Sequence, residues 1–219
     1  MTTLYVSPGA CSLGAIVALK ALDIPHELVR VALRQPGSPI YDINPLGRVP
    51  TLQLDGGEII TENAAILPFL GDLKPEAQLF APAGSVLRAR IQEWIGFANS
   101  DLHPAFRPVT RPELFTDQPE AQQQVRKKGL ERLHLLLGHV ERRLGTLEAG
   151  HWLVSEHFTI ADAYVGVFLS WLPRADISAE EKYPAIHSYL KRWLAHPAVQ
   201  AALAAESQLR SQDAAKLSA

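Results

Sequence analysis

The spacing of apolar residues changes twice within the first part of the chain. Residues 3–6 read as a strand, and residues 26–33 alternate between apolar and polar side chains as a strand does. Between them, residues 11–22 carry apolar side chains at three- and four-residue steps, as on one face of a helix. This pattern predicts a strand–helix–strand unit at the start of the chain.

A hairpin and a helix are predicted next. Residues 51–54 and 58–60 read as short strands, and the Asp-Gly-Gly sequence at 55–57 between them suits a tight turn. An apolar helix then begins near Asn63. Together with the first unit, this order predicts an α/β domain of thioredoxin-like type over residues 1–74, with helices against a mixed four-stranded sheet.

The rest of the chain reads as helical. Residues 75–84 contain two prolines and a glycine, which indicates a linker. An all-helical domain is predicted over residues 85–219, and Pro104, Pro108 and Pro112 are expected to interrupt any helix there. Helices are predicted over residues 85–102, 120–147, 159–172, 184–195 and 197–206.

Composition narrows the class of protein. The 219 residues are 47% hydrophobic and 20% charged, with a net charge of −2, so the chain can bury a large core. It has no basic block, which argues against nucleic acid as a partner. A single cysteine allows no internal disulfide and favours a reducing compartment. Without a signal peptide or an apolar run of about 18 residues, we expect a cytoplasmic protein that does not span a membrane.

The start of the helix after the hairpin offers a binding site. Free N–H groups and the helix dipole at such an end favour a carboxylate, and Glu62 beside it can hold an ammonium group. Glu62 and Asn63 therefore predict a socket for the free end of an amino acid or peptide. The alternative is that both residues only cap the helix.

A second candidate site lies at the first helix, where Ser-Pro-Gly-Ala-Cys-Ser spans residues 7–12. This places the Cys11 thiol and the Ser12 hydroxyl at a helix start, and the dipole there is expected to lower a thiol pKa and to strengthen a donor aimed at a thiolate. The alternative is that Cys11 is a small buried apolar residue.

A helix N-terminus is also predicted at residues 159–162, Thr-Ile-Ala-Asp. The spacing is that of a capping box, in which Thr159 and Asp162 satisfy each other's backbone N–H groups. We expect this box to be structural.

These segments together resemble the glutathione transferase family. The Arg-Val-Pro-Thr-Leu run from Arg48, the Glu62–Asn63 pair and the Phe-Thr-Ile-Ala-Asp-Ala run from Phe158 are similar to the family's motifs, and Ser-Pro-Gly-x-Cys-Ser is similar to its bacterial beta class. The resemblance implies a homodimer that adds the thiol of glutathione to an electrophilic small molecule.

The resemblance also implies roles for individual residues. Glu62 and Asn63 would hold the γ-glutamyl end of glutathione, and Val49, before a cis Pro50, would pair its backbone with the cysteinyl unit. At the sulfur, Cys11 or Ser12 would donate a hydrogen bond, or Cys11 would form a mixed disulfide. The remaining implied residues are His103, facing the sulfur from the helical domain, and Asp101, approaching the ligand of the partner subunit.

The chain departs from the beta-class pattern at several positions. Val6 replaces a tyrosine, and Gly96 replaces an asparagine. The loop after residue 33 lacks the expected lysine, so Arg34 or Arg48 is the predicted partner of the glycine carboxylate of glutathione.

The electrophile site is predicted between the first helix and the helical domain, and Arg107 there would favour an anionic or carbonyl-bearing substrate. No histidine spacing suggests a metal site. The residues expected to form the wall of this site are Phe106, Arg107 and Trp171.

Two other functions fit the same residues. The first is glutathione-dependent reduction of disulfides or peroxides through Cys11. The second is a catalytically silent domain of this fold that binds a ligand or a protein, which the departures around Val6 and Arg34 favour.

Overall fold

A four-stranded mixed sheet and its helices form the N-terminal part of the protein, up to residue 73, and the helices that follow form the second, helical half. The computed structural model describes residues 1–217, with the side chains of residues 1–211. The sheet order is β2-β1-β3-β4; β2 runs parallel to β1, and β3 and β4 add antiparallel strands on the other side. The predicted sheet and its Asp-Gly-Gly hairpin are confirmed. The strands are β1 Thr2–Val6, β2 His26–Arg30, β3 Thr51–Gln53 and β4 Ile59–Thr61.

Three helices accompany the sheet: α1 Leu13–Ala21, α2 Ile40–Ile43 and α3 Asn63–Leu73. Helix α1 begins two residues later than predicted, so residue 11 lies in the loop before it. Helix α2 was not predicted, since four residues are too few to show a period. Every residue from Leu13 to Leu19 is buried, because α1 packs against helices of the second half as well as against α3.

The second half is helical, as predicted. It comprises α4 Val86–Phe97, α5 His103–Thr110, α6 Pro119–Gly145, α7 Ile160–Leu169, α8 Ala179–Lys182, α9 Pro184–Ala195 and α10 Pro197–Leu217. Helix α10 extends well beyond the predicted residues 197–206. One continuous hydrophobic core joins this half to the sheet domain. Within residues 1–217, no helix is long and apolar enough to cross a membrane.

The segment predicted as a linker is packed rather than free. It begins with a short 3-10 turn at Pro75–Ala77, and the three residues after Gln78, Leu79 to Ala81, are buried. The Leu79 carbonyl accepts the N–H of Ile160 at 3.0 Å, which ties the segment to the start of α7. The domain limits 1–74, 75–84 and 85–219 remain a prediction.

The prolines near residue 104 do not prevent a helix, contrary to expectation. Helix α5 contains Pro104 in its first turn, where no intrahelical N–H bond is needed, and Pro108 in its interior. Pro108 fits against Gly129 of α6, where an added Cβ would lie 2.9 Å from the proline Cγ. Packing on α6 thus compensates for the missing hydrogen bond.

The predicted capping box at the start of α7 is confirmed. One oxygen of the fully buried Asp162 carboxylate accepts the Thr159 N–H at 2.9 Å and its hydroxyl at 2.8 Å. The other accepts the Leu153 N–H and the Tyr189 hydroxyl, each at 2.9 Å. Asp162 therefore joins three segments of the helical half.

Candidate active site

Cys11 lies in the loop between β1 and α1, where the two halves of the protein meet. Its thiol donates to the Val49 carbonyl at 3.4 Å. The Val49–Pro50 peptide bond is cis, as the family resemblance implied. The loop that carries Val49 therefore faces the Cys11 thiol.

The expected lowering of the Cys11 pKa by the helix dipole is wrong for the free protein. Burial raises the pKa of this thiol to about 12, and the negative charge of Glu62 adds to the effect. The Cys11 backbone N–H acts in the opposite direction and lowers the pKa, but desolvation is the larger effect and outweighs it. The group is a neutral thiol at physiological pH and acts as a hydrogen-bond donor.

Ser12 does not face the same space. It is fully buried, and its hydroxyl is bonded to the backbone of Ser7, accepting from the N–H and donating to the carbonyl, both at 3.3 Å. Of the two candidate donors, the structure therefore favours Cys11. Ser12 closes the turn that precedes α1.

Glu62 sits at the junction of β4 and α3 with an unusual backbone. Its φ of 68° lies in the left-handed region that favours glycine, and such strain in a non-glycine residue is often found at functional sites. Its exposed carboxylate lies 3.7 Å from the Arg48 guanidinium. Among the described side chains of residues 1–211, none caps the first turn of α3, so that end is open to a ligand.

Asn63 is placed differently from the prediction. It is 2% exposed, and its side-chain amide donates to the Cys11 carbonyl at 3.1 Å. Buried in this way, the side chain is unsuited to holding a ligand carboxylate, and its backbone N–H is left for that role. The side chain instead fixes the loop that carries Cys11.

His103 belongs to the helical half and lies near enough to Arg48 of the sheet domain for that charge to act on its ring. It follows a π-helical turn, Ala98–Leu102, a feature that is frequent at functional sites. Its ring stacks on Phe168, with centroids 4.9 Å apart, and meets the edge of Trp171 at 5.5 Å. Burial, with the charges of Arg107 and Arg48, lowers the His103 pKa to about 4, so the imidazole is neutral at pH 7.

The three residues predicted to line the electrophile site, Phe106, Arg107 and Trp171, lie in different surroundings. Phe106 and Trp171 are 2% and 8% exposed and pack edge to face in the helical core. Phe106 is therefore a core residue rather than a pocket wall. Arg107 is exposed one turn after His103 on α5 and directs its charge toward that ring.

The other predicted site residues are Arg34, Arg48 and Asp101. Arg34 is exposed, with a φ of 57°. Its charge lies near Glu113, whose pKa is lowered mainly by a hydrogen bond from Arg111 and to a smaller extent by Arg34. Arg48 instead lies beside Glu62. Arg48 is thus the better placed of the two arginines. Asp101 pairs with Arg132 of its own chain, and its contact with a partner subunit remains a prediction.

The sequence analysis missed Tyr164 of α7. It is 1% exposed, its hydroxyl donates to the Asn99 side chain at 3.0 Å, and its pKa is raised by burial and by the nearby Cys11. Tyr164 follows the capping box by two residues, so it was used only as part of a helix. Only the packing of α7 on α1 reveals its place beside Cys11.

The structure is that of a two-part protein in which a thioredoxin-like sheet domain is joined to a helical domain, with the Cys11 thiol and the start of α3 close to where the two parts meet. The family models for the glutathione S-transferase N-terminal and C-terminal domains match residues 9–73 and 97–197. The chain belongs to the glutathione S-transferase family. It is 35% identical over 208 residues to glutathione S-transferase GstA of Escherichia coli O157:H7, covering 93% of this chain and 98% of the relative.

Solved structures of bacterial transferases are similar to the protein throughout. A beta-class glutathione S-transferase from Sphingomonas chungbukensis shares 34% identity with a TM-score of 0.81, covering 93% of this chain and 98% of that one. A sphingomonad transferase complexed with glutathione shares 32% identity with a TM-score of 0.83, covering 94% and 98%.

Proposed function

We propose that the protein conjugates the thiol of glutathione to electrophilic small molecules. The observation that carries this proposal is the Cys11 thiol, 3.4 Å from the Val49 carbonyl, in a chain whose neighbouring helix α3 starts without a cap. In a tripeptide that carries a thiol, the sulfur would accept a hydrogen bond from Cys11. The carboxylate at the amino-acid end would bind the free N–H groups at the start of α3. Relatives named glutathione S-transferases, matched over nearly their whole length, support the same function.

Glutathione would be held by groups on both sides of the Val49 loop. Glu62 would bind the ammonium group, and the N–H groups of Asn63 and Ala64 would bind the neighbouring carboxylate. The backbone of Val49 would pair with the cysteinyl unit, and Arg48 would bind the glycine carboxylate. The Arg48–Glu62 pair is exposed and loosely spaced, so each partner is available to a ligand group of opposite charge.

The chemistry assigned to Cys11 is hydrogen-bond donation to the glutathione sulfur. A neutral thiol stabilises a neighbouring thiolate without reacting itself. Reduction through a mixed disulfide needs Cys11 as a thiolate, and its raised pKa weighs against that alternative. Conjugation forms a carbon–sulfur bond, the leaving group departs with its bonding electrons, and the thiol proton passes to solvent.

His103 and Arg107 would face the second substrate from the helical half. The neutral His103 offers one ring N–H as a donor to sulfur or to a departing group. Arg107 would favour an electrophile with an anionic or carbonyl group. The surrounding rings of Phe168 and Trp171 fix the His103 ring in position.

The direct test measures conjugation of glutathione to 1-chloro-2,4-dinitrobenzene by absorbance. We expect saturable turnover in both substrates, well above the rate without protein. If the folded protein binds glutathione but does not raise the rate of conjugation, the proposed enzyme activity is wrong and the protein only binds the ligand.

Replacing Glu62 by glutamine should raise the KM for glutathione by about 10- to 100-fold, because a hydrogen bond between charged groups is lost. The kcat should change little, since the ammonium group is remote from the reacting sulfur. Steady-state kinetics would measure both values. Glu58→Gln, an exposed carboxylate on the hairpin, is the control and should leave KM unchanged.

We also expect a homodimer, as the resemblance implies. Exposed apolar side chains at the start of α4, Val86 at 77% and Leu87 at 40%, are suited to burial against a second copy. Sedimentation equilibrium should return about twice the chain mass of 24.0 kDa, and the single-chain mass at micromolar concentration would contradict the dimer. A cytoplasmic location remains a prediction.

A further inference from the structure

The turn that precedes Cys11 is bound by side chains of the helical half. It consists of residues Ser7 to Ala10 and is closed by a hydrogen bond from the Ala10 N–H to the Ser7 carbonyl at 2.9 Å. Gly9 has a φ of 85°, the positive value that the second central position of a type II turn requires. The closing bond uses neither the N–H nor the carbonyl of Gly9, so both groups need partners from elsewhere.

Two charged side chains supply those partners. The Glu206 carboxylate, on α10, accepts the Gly9 N–H at 2.9 Å. The Arg174 guanidinium, in the 3-10 turn Leu172–Ala175 after α7, donates to the Gly9 carbonyl at 2.9 Å. A negative group thus binds the donor and a positive group binds the acceptor of one residue, and hydrogen bonds to charged groups are stronger than those between neutral groups.

The contact is close enough to exclude a side chain at residue 9. A Cβ added to Gly9 would lie 3.1 Å from Nη2 of Arg174 and also 3.1 Å from Nη2 of Arg210. Arg210 lies one turn after Glu206 on α10, and its Nη2 is 3.9 Å from the Glu206 carboxylate. The turn before Cys11 is therefore in direct contact with both guanidinium groups.

Glu206 is an unusual residue for a helix that packs against the core. It is 3% exposed, and its Oε1 is buried without a hydrogen-bond partner among the residues that the structure describes. Burial of a carboxylate that is only partly satisfied costs stability, and proteins retain such costs mainly at functional sites. The bond to Gly9 is the contact that connects this carboxylate to the candidate active site.

Arg174 also contacts the surroundings of His103, the second predicted residue at the sulfur. Its guanidinium carbon lies 4.9 Å from the centroid of the Trp171 ring. The Trp171 ring in turn meets the His103 ring with centroids 5.5 Å apart. Arg174 thus binds the turn before Cys11 and packs on the ring that supports His103.

We propose that Arg174 and Glu206 are positioning residues that act through Gly9 to hold the Cys11 thiol where it donates to the glutathione sulfur. This inference rests on the proposed conjugation. Asn63 binds the Cys11 carbonyl at 3.1 Å and so fixes the loop from the other side. Two residues of the helical half thereby set the geometry of a thiol that belongs to the sheet domain.

Substitutions at the two residues test the proposal by turnover. Arg174→Met and Glu206→Leu each leave one group of Gly9 without its charged partner. Each should lower kcat with 1-chloro-2,4-dinitrobenzene by about tenfold, the effect of losing one hydrogen bond to a charged group. The KM for glutathione should change little, because the groups proposed to hold the tripeptide are unaltered. Glu206→Gln keeps an oxygen for the Gly9 N–H and should retain most of the kcat; a loss equal to that in Glu206→Leu would contradict the role of this hydrogen bond.

Arg192→Met is the matched control. The Arg192 guanidinium donates to the His151 carbonyl at 2.7 Å and lies 4.8 Å from the centroid of the Trp152 ring, so it makes the same two kinds of contact as Arg174. It binds the loop before α7 instead of the turn before Cys11. Arg192→Met should lower thermal stability as Arg174→Met does, without lowering kcat. A loss of kcat equal to that in Arg174→Met would show an effect of general stability and overturn the proposal.

The reactivity of Cys11 in the protein without glutathione gives a readout that needs no turnover. Without its partners at Gly9, the loop no longer holds the thiol in its buried position, so the thiol becomes more accessible and its pKa is raised less. Iodoacetamide should then alkylate Cys11 about tenfold faster in Arg174→Met and Glu206→Leu than in the unchanged protein, whereas Arg192→Met should match the unchanged protein.

The two measurements separate the inference from the proposed function. An unchanged kcat together with an unchanged alkylation rate in Arg174→Met and Glu206→Leu would contradict the inference. Absence of conjugation by the unchanged protein would instead contradict the proposed function. The alkylation rates would in that case still test whether the two residues hold the Cys11 thiol in place.

Discussion

Replacing Cys11 by alanine is expected to lower the kcat of glutathione conjugation by about 100-fold, the usual effect of removing one donor aimed at a developing or stabilised anion. Serine at this position keeps a donor and should retain the kcat within about tenfold. Because the neutral Cys11 thiol acts as a hydrogen-bond donor, we expect kcat to decrease from the unchanged protein to Cys11→Ser and further to Cys11→Ala. Steady-state kinetics with saturating glutathione would measure it.

The same account predicts the reactivity of Cys11 in the free protein. A pKa of about 12 means that the thiolate is scarce at neutral pH and increases only as the pH rises toward that value. Alkylation by iodoacetamide should therefore be slow at pH 7 and should accelerate steadily through pH 10. Rapid alkylation with an apparent pKa below 8 would contradict donation and favour the mixed-disulfide alternative.

Replacing Asp162 by alanine is expected to lower the free energy of unfolding by about 4 kcal/mol. The change leaves the N–H groups of Leu153 and Thr159 and the hydroxyl of Tyr189 without their acceptor in the core. Each unsatisfied buried donor costs about 1–3 kcal/mol, and water entering the space left by the side chain recovers part of the sum.

Urea unfolding followed by tryptophan fluorescence would measure this effect, since all four tryptophans lie in the helical half. One of them, Trp193, donates its indole N–H to the Asp162 carbonyl at 2.9 Å. Asp176→Asn is the control, because that carboxylate is 84% exposed and its pair with Arg126 should contribute at most about 1 kcal/mol. Asparagine also tolerates the positive φ of 57° at this position. Equal decreases in the free energy of unfolding in the two variants would contradict this account, because the buried hydrogen bonds of Asp162 would then stabilise the fold no more than an exposed ion pair does.

Features that depend on neighbouring residues were predictable from the sequence. The glycines of the hairpin and the Thr159–Asp162 capping box each act within a few residues, and the structure contains both. The cis bond before Pro50 came instead from the family resemblance, since spacing alone does not favour it.

Features that depend on distant packing were not predictable. Helix α5 contains Pro108 because Gly129, which is 21 positions further along the chain, leaves room for its ring. The short α2 has too few residues for a periodic signal. A local sequence pattern reveals neither the contact between Pro108 and Gly129 nor a helix of only four residues.

The candidate site shows the same limit. The residue types at positions 11, 62 and 63 were identified, but their protonation and orientation depend on burial by the other half of the protein. The Cys11 pKa is raised instead of lowered, and the Asn63 side chain faces the Cys11 carbonyl instead of the ligand. Tyr164 was missed because its proximity to Cys11 arises only from the packing of α7 on α1.

A crystal structure of the protein with reduced glutathione tests the central claim most directly. We expect the ligand sulfur within hydrogen-bonding distance of the Cys11 thiol without a covalent bond, and the amino-acid end at Glu62 and the first N–H groups of α3. A sulfur–sulfur bond of about 2.05 Å to Cys11, or glutathione bound away from the start of α3, would contradict it.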